Sequence, residues 1–192
     1  MMAALRYRGF KWRAIGLLLF GRKQMALDTF EAMLLEFPQD PYALASKGHL
    51  LSQMGRRREA IAVLEQLVGI SPDNARHWFN YGFMLEHMSE FEQAEAAFRR
   101  ATELSPQLDR AWYGLGLVLI RLQRFDEAMV ALKKNTKLQP MSPYGWYQLA
   151  RVHVDRHEPE EARKIIAHLR RFEPKVAAQL ERETGIFAPP AS

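Results

Sequence analysis

The sequence predicts an all-α protein, a right-handed solenoid of five helix-turn-helix repeats with a C-terminal capping helix. Two observations carry that expectation. Pro38, Pro72, Pro106, Pro140 and Pro174 stand 34 residues apart, and Ala26, Ala60, Ala94, Ala128 and Ala162 share the interval. Around these columns apolar residues recur three and four apart, the spacing of one helix face, rather than alternating as in a strand.

Each repeat opens on a helix with a large apolar residue (Phe10, Leu44, Trp78, Trp112, Trp146), followed four positions on by a small one (Ala14, Gly48, Gly82, Gly116, Ala150). Residues such as Trp78, Tyr81, Gly82 and Leu85 then share one stripe, and the small residue lets a second helix approach closely. That second helix carries the alanine column and, four residues later, Phe30, Leu64, Phe98, Leu132 or Ile166. Gly21 and Gly55 suit the turn within a pair, and each column proline stops the second helix and starts the next repeat. One pair cannot bury its stripe alone, so the five must stack into a superhelix. The expected repeats span about 7–40, 41–74, 75–108, 109–142 and 143–174, one solenoid over 1–185. A capping helix over 175–185 has Val176, Ala177 and Leu180 on one face and Gly185 as its stop, and 186–192, with two prolines, reads as a loose tail. Repeat five departs from register: His153 replaces a leucine and Arg156 replaces Phe, Met or Leu, which puts its packing in question.

The pattern Trp112, Leu115, Gly116, Leu119, Ala128, Leu132 and Pro140 resembles the tetratricopeptide repeat, and the resemblance covers about residues 7–174. It implies a protein-binding array whose first helices line a concave groove and whose second helices form the convex side. Some members of that family grip a C-terminal carboxylate with Lys and Asn. Lys11 matches one such position, but Ile15 and Ser46 stand where asparagines belong, so that clamp is not expected.

Composition narrows function further. With no cysteine among 192 residues, disulfides, thiolate metal sites and thiol nucleophiles are excluded. The net charge of +5 is confined to the start of the chain: residues 1–27 hold Arg6, Arg8, Lys11, Arg13, Arg22 and Lys23 and no acid, and the remainder sums to −1. A neutral body argues against nucleic acid, and Arg99-Arg100, Lys133-Lys134 and Arg56 to Arg58 read as solvated faces. The apolar run from Ala14 to Phe20 spans about 10 Å as a helix, too short to cross a bilayer of roughly 30 Å. It is also a poor signal peptide. The absence of HExxH, GxSxG, GxxxxGK[ST] and GxGxxG leaves no catalytic candidate, and the chain is read as a non-enzyme without cofactor. His153 and His157 have metal-ligand spacing beside Asp155 and Glu158, but the register puts His157 in a turn, so no metal is expected.

A stripe of each first helix offset from the packing stripe points into the groove. It holds Tyr42 and His49 in repeat two, and Arg76, Phe79, Asn80 and Phe83 in repeat three. Repeat four supplies Arg110, Tyr113, Leu117 and Arg121, and repeat five Tyr144, Tyr147, Gln148 and Arg151. Phe79, Tyr113 and Tyr147 are register equivalents, as are Arg8, Arg76 and Arg110, an aromatic ladder beside an arginine ladder. Those residue types dominate binding hot spots, and an extended or helical partner segment with acidic and apolar residues fits them. The other reading is that the aromatics pack between neighbouring first helices.

Repeat one differs. Arg8, Lys11, Trp12, Ile15, Leu18 and Leu19 form an apolar, basic patch on the side expected to face solvent. The leading function is thus an adaptor, scaffold or assembly chaperone holding a partner protein in its groove. The alternative is a membrane-peripheral subunit of a larger complex docked through the N-terminus, and a homodimer through the same patch is the third reading. A cytoplasmic protein, peripheral to a membrane in the second reading, is expected. An excess of arginine over lysine, 19 to 8, suits a GC-rich bacterial genome.

Overall fold

The 34-residue register reappears as helix boundaries. The computed structural model describes residues 2–187. Its first helices are α1 (Met2–Leu19), α3 (Pro41–Gln53), α5 (Ala75–His87), α7 (Asp109–Arg121) and α9 (Pro143–Asp155). Its second helices are α2 (Lys23–Glu36), α4 (Arg57–Ile70), α6 (Phe91–Leu104), α8 (Phe125–Leu138) and α10 (Pro159–Arg170), and α11 (Pro174–Thr184) follows. The described residues contain no strand. The chain divides into two compact units between Glu90 and Phe91.

All five turns within pairs are built alike. In the first, Gly21 N–H donates to Leu18 O and Arg22 N–H reaches back to Leu17 O, so two carbonyls left over at the end of α1 are satisfied. The same two bonds recur at Gly55, Ser89, Gln123 and His157. The motif needs a left-handed residue, and these five have φ of 68°, 77°, 62°, 59° and 60°. Glycine fills only the first two positions.

In unit 1, helices α1 to α5 pack in succession around Ala14, Ala26, Phe30, Met33, Leu44, Leu51, Leu64 and Leu67, all nearly inaccessible. A Cβ on Gly48 would lie 3.0 Å from the Leu64 side chain, which is why that column stays small. Asp40 and Asn74 cap α3 and α5 by accepting from backbone N–H groups.

In unit 2, α6 to α11 pack in succession, with α11 also against α9. A Cβ on Gly114 would sit 2.6 Å from the Phe98 ring, and one on Gly116 2.7 Å from Leu132. The out-of-register residues of repeat five satisfy one another. Buried His153 pairs through Nδ1 with Glu158 Oε2 (2.7 Å), while Arg156 donates to Glu158 (2.9 Å) and to Asp126. Arg99 belongs to a four-membered ion network with Glu95, Arg124 and Glu127, with contacts of 2.5–2.7 Å. Ala177 and Leu180 of α11 are buried in the core, and Ile186 packs beside them. Residues 188–192 of the expected tail lie outside the described residues.

One recurring bond ties two sequence columns together. Trp78, Trp112 and Trp146 each donate their indole N–H to the carbonyl of the column proline six residues earlier, at 2.7, 3.0 and 2.9 Å. The tryptophan thus fixes the entry to its own helix.

Candidate functional site

In unit 2, α7, α9 and α11 enclose a cleft of about 300 Å³ lined by Tyr113, Pro143, Tyr144, Tyr147, Gln148, Val176 and Gln179. Spacing explains the set: Tyr144, Tyr147 and Gln148 lie three and four apart on α9, as do Val176, Gln179 and Glu183 on α11. Tyr144 is largely exposed, whereas Tyr113 and Tyr147 are half-buried. The Tyr147 hydroxyl donates to Glu183 Oε2 (2.5 Å), and Gln179 Nε2 to Glu183 Oε1 (2.8 Å). These two donors hold the Glu183 carboxyl below its ordinary range. Arg151 lies 6.0 Å from the centre of the Tyr147 ring and 3.6 Å from Glu183.

Two aromatic residues of the expected ladder, Tyr113 and Tyr147, therefore meet in one cleft. Phe79 lies in unit 1, on α5, stacked at 6.2 Å on Phe83, which in turn lies 4.2 Å from the His87 ring. Arg110, Leu117 and Arg121 share α7 with Tyr113 but do not line the cleft. The ladder's arginines are distributed: Arg8 lies in α1, Arg76 in α5 and Arg110 in α7. Val176, Gln179 and Glu183 were invisible as site residues, because α11 has no equivalent in the repeats to compare it with.

Unit 1 has its own concave region of about 660 Å³, lined by Ala3, Ala4, Tyr7, Arg8, Lys11, Trp12 and Phe37. Tyr7 meets Phe37 edge-on at 5.5 Å, and Lys11 Nζ sits 4.5 Å above the Tyr42 ring. Burial, and then the Asp40 carboxylate, push the Tyr7 hydroxyl above its ordinary range. Tyr42 also packs on Phe30 at 6.2 Å, and exposed His49 bonds Gln53 (2.8 Å). Asn80 and Arg76 are exposed on α5. Within α1, Trp12, Leu18 and Leu19 are exposed and Ile15 half-buried. His157 stands in a left-handed turn, while His153 points at Glu158.

The tetratricopeptide repeat family model matches residues 45–109 and 88–140, a span of 96 of the 192 residues. The chain belongs to the tetratricopeptide repeat family. No curated protein matches it by sequence. Among solved structures it is similar to the MamA protein, with a TM-score of 0.80 at 19% identity over 97% of both chains. A MamA fragment from residue 41 to the end, from Desulfovibrio magneticus RS-1, gives 0.79 at 20% identity over 92% of this chain and 96% of that one. YrrB, described as a tetratricopeptide protein with an unusual peptide-binding site, gives 0.79 at 18% identity over 88% of each. At these identities the likeness is one of fold. Family membership supplies the coarse class of function, protein–protein interaction. No helix among the described residues is long and apolar enough to cross a membrane.

Proposed function

We propose that this tetratricopeptide protein is a non-catalytic adaptor or assembly chaperone, and that the cleft between α7, α9 and α11 seats a segment of its partner. The observation that carries the reading is the convergence of Tyr113, Tyr144 and Tyr147 on a concavity of about 300 Å³. Tyrosine brings a large rigid contact area at low entropic cost, and this volume is at the lower end of the range of ligand-binding clefts. Val176 supplies an apolar wall, and the amides of Gln148 and Gln179 lie at the rim to bond a partner's backbone. Because Arg151 already faces Glu183, the cleft favours an apolar or aromatic side chain. Acidic residues of the segment are left to Arg121, exposed on α7. The peptide-binding site named for YrrB supports a segment, rather than a whole domain, as the ligand class.

The test replaces Tyr113 and Tyr144 together by alanine and compares proteins retained from lysate by variant and wild type, using mass spectrometry. Selective loss of at least one partner at unchanged helical content is expected. An identical set at identical yield refutes the proposal.

A further inference from the structure

The outer face of α1 is not used by the fold. Helix α1 begins at Met2, five residues ahead of the register position at which the other first helices start. Its inner face, Phe10, Ala14 and Leu17, joins the core of unit 1. On the opposite face Met2, Leu5, Gly9, Trp12, Gly16 and Leu19 follow one another at spacings of three and four, forming a second stripe along about 27 Å of helix. Met2, Leu5, Trp12 and Leu19 are 71–81% exposed, and Phe20, in the following turn, is 82% exposed. Outside the backbone of α1 itself, none of the described residues comes within 4 Å of where a Cβ on Gly9 or Gly16 would stand, so the stripe is open at both glycines.

Charge and composition decide what covers it. Arg13 borders the stripe on one side and Arg8 on the other, and Arg22 and Lys23 stand at its end beside Phe20. Arg6 also borders it and pairs with Glu36 at 3.6 Å. Residues 1–27 contain no acid, so pairing two copies through this face would set arginines against arginines. Residues 1–22 also contain no Ser, Thr, Asn, Gln or His. A face whose one neutral hydrogen-bonding side chain is Trp12 has little with which to read a particular protein surface. A continuous apolar ridge, an exposed tryptophan at mid-length and cations on both borders are what an anionic lipid surface selects: the ridge enters the acyl boundary while the arginines reach up to phosphate.

We infer that α1 and its following turn dock the protein onto membranes rich in anionic phospholipid, lying in the interface and not spanning it. This site is separate from the cleft of unit 2 and does not depend on it.

The experiment uses the full chain with vesicles of phosphatidylcholine alone and vesicles in which a third of the lipid is phosphatidylglycerol. Co-sedimentation is read together with tryptophan emission. Trp78, Trp112 and Trp146 are half-buried and bonded to carbonyls, so a blue shift on binding reports Trp12. Binding is expected with the anionic vesicles and not the neutral ones, and is expected to weaken with salt. Arg8→Gln or Arg13→Gln should lower the partition coefficient about fivefold each, and the pair roughly twenty- to thirtyfold. Trp12→Ala with Leu19→Ser should lower it more than tenfold at unchanged helical content, since both side chains are exposed. Absence of binding to anionic vesicles, equal binding to neutral ones, or binding indifferent to Trp12 and Leu19 overturns the inference. So does light scattering that shows a dimer dissolved by the same two substitutions in the absence of lipid.

Discussion

Gly114→Ala and Gly9→Ala are the same chemical change in the middle of a helix, and they should move stability in opposite directions. Alanine is favoured over glycine in a helix interior by about 1 kcal/mol. At Gly9 none of the described residues beyond the local helix backbone comes within 4 Å of the new Cβ, so that gain stands alone. At Gly114 the Cβ would come within 2.6, 2.7 and 3.0 Å of three ring carbons of Phe98, a side chain only 1% exposed. Overpacking of a core typically costs about 1–3 kcal/mol, and three contacts on a ring with no room to retreat belong at the upper end. The net loss is about 1–2 kcal/mol. With a urea dependence of about 2 kcal/mol per M, the midpoint followed by circular dichroism should fall by roughly 0.5–1 M for Gly114→Ala and rise by up to about 0.5 M for Gly9→Ala. Phe98→Leu, costly in the wild type, should cost less in the Gly114→Ala background, because the clash goes with the ring. Strict additivity, or a midpoint that rises for Gly114→Ala, would refute the reasoning.

Gln123→Gly should stabilise the chain: holding a non-glycine residue at φ 59° costs about 1–2 kcal/mol, partly offset by glycine's freedom in the unfolded state. A net gain of about 0.5–1 kcal/mol in urea unfolding is expected, and a loss would show that the Gln123 side chain stabilises the turn. His77 is pushed below the ordinary histidine range by burial, and its Nδ1 is buried with no hydrogen-bond partner among the described residues. The unfolded chain therefore binds the proton more readily, so this residue's contribution is intact above about pH 6.5 and is lost as the pH falls through the depressed folded value. His77→Gln should flatten the decline in urea midpoint between neutral pH and pH 5, and an unchanged slope would remove His77 from the account. His153→Leu restores the residue of the other four repeats in a buried position and should keep or raise the thermal midpoint at neutral pH, since a buried polar pair gains little over well-packed apolar side chains. A clear fall in Tm would mean that the bond to Glu158 outweighs its desolvation.

The sequence made the helix register legible because proline, alanine and glycine act through the backbone, where identity and spacing are enough. It located the within-pair turn at 21 and 55 through glycine. Only the register carries it to Ser89, Gln123 and His157, where the residue type gives no such signal. The indole–carbonyl bonds of Trp78, Trp112 and Trp146 explain why two columns keep step, yet a spacing of six suggests no contact until the chain reverses at the proline. In the cleft, Tyr113, Tyr144 and Tyr147 were readable from their offset on the first helices. Glu183 was not, because whether an acid on α11 faces solvent or Tyr147 depends on how α11 lies against α9. The polar substitutions of repeat five looked like defects one at a time, and only the fold brings His153, Glu158, Arg156 and Asp126 together.

A repeat array repeats its interior and can differ only where that interior makes no demand. The columns fix one stripe of each helix and the turns, so a residue off those columns is free to vary without cost to the stack. Unit 1 spends that freedom on the outer face of α1, where large apolar side chains are left exposed among arginines. Unit 2 spends it on tyrosines that face a helix outside the register, α11, which closes their cleft with Val176 and Gln179. The outermost side chains of each surface, Trp12, Leu19 and Tyr144, are largely exposed and are not needed by the core of their own unit, whereas Tyr113 and Tyr147 also pack on the core of unit 2. The two should therefore separate under mutation. Trp12→Ala with Leu19→Ser should abolish lipid binding while sparing partner capture, and Tyr113→Ala with Tyr144→Ala should do the reverse. A single variant pair that removes both activities at intact helical content would overturn that independence.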